Sequence, residues 1–347
     1  MIRHKSIFLL LIAYGSAIAQ FPSIDQSHRY QMIKQKAIHY NQMIQNEMQI
    51  TTNQNDYDIT YYSLNLTPDL VTSSLYGVVE VVGEVEAQNL DRVELNFWDG
   101  MIITALYISD IPGIQLQYSR SNDILTVHLN KVYDSGEKFS ITVAYNGRTG
   151  DSDYQSFNFD SYNGEPMIWS MSSVFRARGW WPCKDIPSDK PDSMDIRVTV
   201  PDNLIVVSNG SLLETLTNNN QTTYWWQEKY PIATYLVSVS IYPYEMHYDD
   251  YNYDNGSKTM EIQFYGFPGN YDANIQINSL VGDMLGCFSE LFGEYPFVDE
   301  KYAQVDFLWG GGMEHQTCTS YGSWSEALFA HEIAHQWWGD MITCDNF

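Results

Sequence analysis

Basic residues are scarce in this chain of 347 residues: 18 Lys and Arg stand against 43 Asp and Glu, a formal net charge of −25. A phosphate backbone would be repelled by such a surface, so nucleic acid is excluded as a partner class. Cysteine is sparse too. Cys183, Cys287, Cys318 and Cys344 are the whole complement, and no C-x-x-C pair exists among them, which excludes a cysteine-rich zinc knuckle. Four cysteines allow three disulfide pairings, with buried free thiols as the alternative. The apolar run Ile7 to Ala13 is too short to cross a bilayer. It follows Arg3 and Lys5 and precedes Ala17-Ile18-Ala19, a small-x-small cleavage pattern, so residues 1–19 read as a signal peptide cut before Gln20. The expectation is an exported protein, periplasmic, cell-surface or secreted, with no integral membrane span after cleavage. Hydrophobic residues, by contrast, reach 44% and aromatics 15%, enough for sizeable cores, and the length suits two domains.

Residues 20–54 form a polar leader rich in Gln, Asn and Met. From Asp56 the hydrophobic period becomes two. Tyr57–Tyr61, Val93–Phe97, Leu125–Leu129, Phe139–Tyr145, Ile196–Val200, Leu204–Val207 and Tyr235–Ile241 alternate as half-buried strands do, separated by turn signals such as Asn146-Gly147. This predicts a large antiparallel all-β domain over 55–245. Within it Ala177-Arg178-Gly179-Trp180-Trp181-Pro182-Cys183-Lys184-Asp185 does not alternate and reads as a loop packed by its own indoles. The Tyr-, Asp- and Asn-rich stretch Tyr248–Gly256 reads as a connection into a second domain, 246–347, whose first strand spans Met260–Tyr265. Ile277, Leu280, Val281, Met284, Leu285, Phe288, Leu291 and Phe292 recur at helical spacing as core residues, and Gly293 and Pro296 stop that helix. An apolar strand, Tyr302–Leu308, then runs into Gly310-Gly311-Gly312-Met313-Glu314-His315, where glycines leave the backbone open to an extended ligand at a strand edge. Ser323-Trp324-Ser325-Glu326 reads as a capping box opening the next helix.

That helix carries His331-Glu332-Ile333-Ala334-His335-Gln336-Trp337-Trp338-Gly339-Asp340. Histidines four apart project from one helical face, about one turn apart, so both imidazoles reach one Zn²⁺ at roughly 2.0–2.1 Å. Glu332 between them can act on water without being a ligand, the H-E-x-x-H arrangement of zinc peptidases. The competing reading is a chance motif whose histidines are buried and hydrogen-bonded.

Three motifs in fixed order resemble the aminopeptidase N family of zinc metallopeptidases, a thermolysin-like (gluzincin) group. Gly311-Gly312-Met313-Glu314-His315 resembles its G-A/G-M-E-N exopeptidase motif, and His331 to Gly339 its H-E-x-x-H-x-W-x-G segment. Ala177 to Asp185 resembles the A-R-x-x-F-P-C-x-D stretch of its N-terminal domain. The resemblance, over roughly residues 55–347, implies a multidomain protein: a saddle-like β domain followed by the first part of an α+β thermolysin-like zinc peptidase domain. It also implies removal of N-terminal residues from peptides with a free N-terminus. His331 and His335 would bind one zinc ion, Glu332 would be the base, and Glu314 would pair with the substrate's α-amino group and set the register. Gly311, Gly312 and Met313 would line the peptide.

The chain departs from the family pattern in several places. The third zinc ligand of the family, a Glu, falls at position 354, and the oxyanion-stabilising tyrosine lies further on, so the expectation is an incomplete form that is inactive alone. His315 stands where the family has Asn, and Ser173 where many members have a second amine-binding group. Asp340, five residues after His335, would lie about 140° around the same helix and face away. Metzincin spacing fails because Trp338 and Met341 stand where Gly and His are required. Two other readings remain open: a catalytically silent peptide-binding or interaction module, and an epoxide hydrolase, an activity known from one branch of this family.

Overall fold

The computed structural model describes residues 50–111, 113–150, 156–172 and 174–343; the signal-peptide reading, most of the leader, Ser173 and Cys344 fall outside these residues. The described chain forms nineteen strands. The first seven are β1 (Tyr57–Asp69), β2 (Ser74–Val85), β3 (Leu90–Asn96), β4 (Ile102–Ile108), β5 (Tyr118–Ser121), β6 (Ile124–Tyr133) and β7 (Lys138–Gly147). There follow β8 (Phe157–Tyr162), β9 (Glu165–Ser170), β10 (Ser193–Pro201), β11 (Ile205–Ser208), β12 (Ser211–Asn218), β13 (Gln221–Glu228) and β14 (Val239–Tyr242). The last five are β15 (Glu245–Tyr253), β16 (Lys258–Gly266), β17 (Tyr302–Asp306), β18 (Gly312–Met313) and β19 (Cys318–Tyr321). Two longer helices complete the set, α1 (Val281–Phe292) and α2 (Glu326–His335).

Strands β1–β14 build three sheets, ordered β12-β13-β10-β1-β2-β7-β4, β11-β14-β9-β8 and β3-β6-β5. The predicted β-rich region is therefore present, antiparallel except where β1 runs parallel to β10, Leu64 opposite Ile196. The long strand β2 escapes sequence reading for a packing reason. Its inward face is interrupted by Gly77 and Gly83, which lie opposite Tyr145 and Phe139 on β7. A Cβ at either glycine would sit 2.2 Å from the Tyr145 ring or 2.5 Å from the Phe139 ring, so the aromatics occupy the space that side chains would fill.

Several expectations need correction. Tyr235 and Leu236 form a single 3-10 turn rather than the start of a strand, which begins only at Val239. The end of the polar leader lies against the β-rich region: Thr51 caps a 3-10 turn over Thr52–Asn55, and the buried Gln54 donates to Asn96 Oδ1 at 2.8 Å. Tyr248–Gly256 is not a linker. Most of it is β15, paired in register with β16 from Glu245↔Gly266 to Tyr253↔Lys258, with the hairpin turn at Asp254–Gly256. Its polar sequence fits an exposed strand at the end of a sheet. In α1 only Val281, Met284 and Leu285 are fully buried; Leu291 and Phe292 are exposed near its end, where Gly293 at φ 99° terminates it.

The aromatic loop is more than a self-packed loop. Trp180 and Trp181 are both fully buried within the core shared by the three sheets. Trp181 meets Tyr62 of β1 edge-on at 4.8 Å, and Trp180 Nε1 donates to Ser172 Oγ at 2.8 Å. Tyr145 O–H donates to the Trp180 carbonyl at 2.7 Å, and Lys184 Nζ to the Tyr57 carbonyl at 2.7 Å while pairing with Asp189. Cys183 and Cys318 are buried thiols and Cys287 is half-buried; the described residues contain no disulfide.

A fourth sheet, β15-β16-β17-β19-β18, carries the candidate site. Alternation sends its residues to two cores. Tyr265, Ala303 and Val305 join the large β core, while Met260, Ile262, Phe264 and Tyr302 pack with Leu285 of α1 and Phe329, Ile333 and Trp337 of α2 or its end. Asp306 closes β17, accepting from Phe267 N–H at 2.7 Å and Asn270 Nδ2 at 2.9 Å. Burial outweighs these bonds and pushes its carboxyl from 3.8 up to about 6. It therefore holds its proton more tightly folded than unfolded. That contribution to stability is complete below about pH 4 and lost as the pH rises to about 6. Asp306→Asn should accordingly gain about 2 kcal/mol relative to wild type between pH 3.8 and 6.5, read from urea unfolding at both pH values. A constant difference across that range would refute the assignment.

Candidate metal centre and amine subsite

Helix α2 begins at Ser325, whose Oγ accepts from Leu328 N–H at 3.2 Å; the cap is thus Ser325 and not Ser323, with Glu326 in the first turn where a carboxylate suits the helix dipole. Phe329 and Ile333, four residues apart, turn one face of α2 onto the sheet. The adjoining face presents His331 and His335. Their Nε2 atoms lie 3.2 Å apart. Two ligands at 2.0–2.1 Å from a tetrahedral ion sit about 3.3–3.4 Å apart, so the pair fits one edge of a zinc site. His335 Nδ1 lies 3.0 Å from the Trp338 carbonyl. A carbonyl only accepts, so Nδ1 carries the proton and Nε2 is left with its lone pair for a metal. Gly339 makes that return of the chain feasible: at φ 146° it passes over the ring, where a Cβ would lie 3.1 Å from Nδ1.

Glu332 is buried, and its Oε2 has no hydrogen-bond partner among the described residues. Glu314, Glu332 and His335 each offer a ligand atom within 4.8 Å of the others, so both carboxylates border His335. Burial first, and the nearby Glu314 second, push Glu332 up to about 8; a bound dication would pull it back towards the ionised form. Burial and His335 together depress His331, which keeps its imidazole neutral and able to ligate.

Glu314 follows β18, the outermost strand of its sheet, paired through Gly312↔Tyr321 and Met313↔Ser320. Among the described residues no strand pairs with the other side of β18, the geometry that lets an extended peptide add as a strand. Gly312 has a second reason to lack a side chain, since a Cβ there would lie 2.5 Å from Glu332 Oε1. Gly311 lies outside the strand, with its N–H donated to Trp309 at 3.0 Å and its carbonyl accepting from Gly322 at 2.8 Å. His315 is buried, with Nδ1 2.9 Å from Ser320 Oγ and the ring held neutral by burial, its pKa pushed down to about 3.

Asp340 was expected on the same helix, but α2 ends at His335 and Asp340 lies in the turn beyond, its Oδ2 accepting from Gln336 Nε2 at 2.7 Å. Gln336 and Thr317, to which its amide bonds at 2.9 Å, are the site residues that sequence reading missed. A Gln following an H-E-x-x-H carries no spacing signal, and nothing in the sequence marks Thr317 for its φ of 60°.

The Peptidase M1 N-terminal domain matches residues 58–236, the strand-rich part. Aminopeptidase M1 of Arabidopsis thaliana is 24% identical over 311 residues, covering 82% of this chain and 34% of its own length. This chain therefore spans about a third of that curated relative. Among solved structures, a two-domain M1 zinc metallopeptidase variant bound to L-tryptophan superposes with a TM-score of 0.75 at 23% identity, covering 86% of this chain and 69% of that one. A variant of the Deinococcus radiodurans M1 zinc metallopeptidase bound to the substrate Tyr-Ser-Ala gives 0.71 at 23% identity, covering 84% and 66%. These likenesses establish the shared fold, and the domain match, extending over more than half of the residues, establishes descent: the chain belongs to the M1 family of aminopeptidases.

Proposed function

We propose that this chain carries the metal-holding and amine-recognising parts of an exported zinc aminopeptidase acting on peptides with a free N-terminus. The observation that carries the reading is the 3.2 Å approach of the His331 and His335 Nε2 atoms with the Glu314 and Glu332 carboxylates beside His335. Zinc, when bound, supplies a Lewis acid that polarises the scissile carbonyl. Glu332, one residue from a ligand and shielded from bulk water, takes the proton from the attacking water at its free carboxylate oxygen. Glu314 pairs with the α-ammonium group, and the Gly312–Met313 edge holds the peptide so that its first amide bond reaches that water. A third protein ligand, which the family resemblance places nineteen residues after His335, would complete the coordination. Export belongs to the same proposal and rests on the leader sequence of residues 1–19.

The test combines metal and substrate. Zinc titration of the purified protein should give one site, weakened at least about a hundredfold by His335→Ala. Zinc-loaded protein that includes the third ligand and the rest of the catalytic domain should cleave a tripeptide amide and leave its N-acetylated form intact. Equal zinc binding by His335→Ala, or equal cleavage of the two peptides, would end the proposal.

A further inference from the structure

The Gln336 side chain is fully buried, and it bonds to three segments: the loop at Tyr295, the turn of His315 and Thr317, and Asp340 beyond its own helix. Its Oε1 accepts from Thr317 N–H at 2.9 Å and Tyr295 O–H at 3.2 Å. Its Nε2 donates to Asp340 Oδ2 at 2.7 Å and to the His315 carbonyl at 3.4 Å. All five residues are buried. Each bond is therefore made out of reach of water, where leaving one unmade is costly.

The partners of this amide matter more than their number. His315 and Thr317 flank Gln316 in the tight turn that follows Glu314, closed by Cys318 N–H to the His315 carbonyl at 3.0 Å. Thr317 occupies the turn position that favours glycine, at φ 60°, an unfavourable conformation for a β-branched residue. Such a conformation persists only where the surroundings over-determine it. Here the Thr317 carbonyl accepts from Ala303 N–H at 2.9 Å, and its Oγ1 accepts from Gly210 N–H at 2.7 Å. Asn209 Nδ2 donates to the Gln316 carbonyl at 2.6 Å. The turn is thus fixed from the β-rich region on one side. On the other it is bonded to the helix end that bears the histidines.

We propose that Gln336 is the positioning residue of the amine subsite, locking the Glu314 turn to the metal helix and so setting the separation between the Glu314 carboxylate and the histidine pair. Bound through His315 and Thr317, Glu314 cannot drift along the sheet edge relative to His335. The register of the substrate amine against the metal then depends on an amide that contacts neither. The inference rests on the reading of Glu314 as the amine-binding group.

The experiment is calorimetric titration of the zinc-loaded chain with leucinamide and N-acetyl-leucinamide. Wild type should prefer the free amine. Gln336→Leu should weaken leucinamide binding about tenfold or more while binding zinc as before, since sub-ångström to ångström misplacement of a clamping group costs on that scale. Gln336→Glu keeps both acceptor contacts but has no N–H for Asp340 or the His315 carbonyl, so it should weaken leucinamide binding as Gln336→Leu does. Thr317→Gly keeps the turn and its N–H, and should retain the preference. Should Gln336→Leu unfold, the Glu variant and Tyr295→Phe, which removes one contact to the same oxygen, decide the matter: leucinamide affinity within twofold of wild type in both would overturn the proposal. Unchanged leucinamide binding by folded Gln336→Leu also overturns it. A wild type that does not distinguish the two ligands overturns the amine-subsite reading itself and this inference with it.

Discussion

Glu332→Gln, in zinc-loaded protein that includes the third ligand and the rest of the catalytic domain, is expected to lower kcat on a free-N-terminus peptide by about 10³-fold with zinc content unchanged. The substitution keeps the shape of the side chain against Gly312 but removes the group that accepts a proton, and general-base catalysis by a positioned side chain is worth about 10²–10⁴ in rate. Glu332 is adjacent to a ligand without being one in the proposed site, so the metal should stay. Because the lost interaction exists only in the transition state, kcat and kcat/KM should fall together while KM holds. Steady-state kinetics with parallel metal analysis decides it. Activity within tenfold of wild type, or loss of zinc along with activity, would remove Glu332 from the role of base.

Trp181→Ala should destabilise the protein by about 3–5 kcal/mol, the range for emptying a fully buried large aromatic site. Trp181 has no solvent-exposed surface and lies edge-on to Tyr62 at 4.8 Å and to Trp180 at 5.9 Å. Its loop also supplies the Cys183–Asn96 bridge and the Lys184 N–H that Tyr62 Oη accepts at 2.9 Å. A cavity there opens at the junction of loop and sheet, and nothing beside it can collapse cheaply. Trp309, 46% exposed, provides the contrast: its replacement by Ala should change stability by about 0.5 kcal/mol or less. Urea unfolding of the two variants measures both. A loss under about 1 kcal/mol for Trp181→Ala would show that the loop lies on the core without belonging to it.

Much of the architecture was legible because burial leaves a periodic mark. Strands β6, β7 and β10 alternate in sequence, and their apolar residues Leu125, Val127, Ile141, Val143, Ile196 and Val198 lie in the core, as the stripe Val281, Met284, Leu285 does for α1. Where one element's space is filled by another's side chain, the mark disappears. Gly77 and Gly83 look like strand breakers until Tyr145 and Phe139 are seen lying on them. The aromatic loop has no period because it is buried on all sides. Polar strand β15 resembled a linker because an exposed strand at a sheet edge and an exposed connection draw on similar residues. Leu291 and Phe292 continued the apolar stripe of α1, but a stripe reports what a helix could bury and not where its neighbours end.

The candidate site divides along the same line. His331, Glu332 and His335 are local in sequence, since one helical turn brings them together. Glu314 could be joined to them only through family resemblance, because its approach depends on the hairpin of β18 and β19 meeting α2. Gln336 and Thr317 were invisible for a further reason. Their importance lies in backbone groups and a left-handed φ, neither of which is a property of residue type.

The parallel pairing of β1 with β10 also imposes a timetable on synthesis. Leu64 meets its neighbours on β2 within about fifteen residues, but Ile196 is about 130 residues away. At 5–20 residues per second, β1 waits roughly 7–26 s after emerging before the strand that covers its second edge exists. Throughout that interval Tyr61 to Leu66 present an open row of amides and carbonyls to any passing chain, in a sheet whose long-range contacts close late. The centre of the finished sheet is, while the protein is being made, its most vulnerable edge.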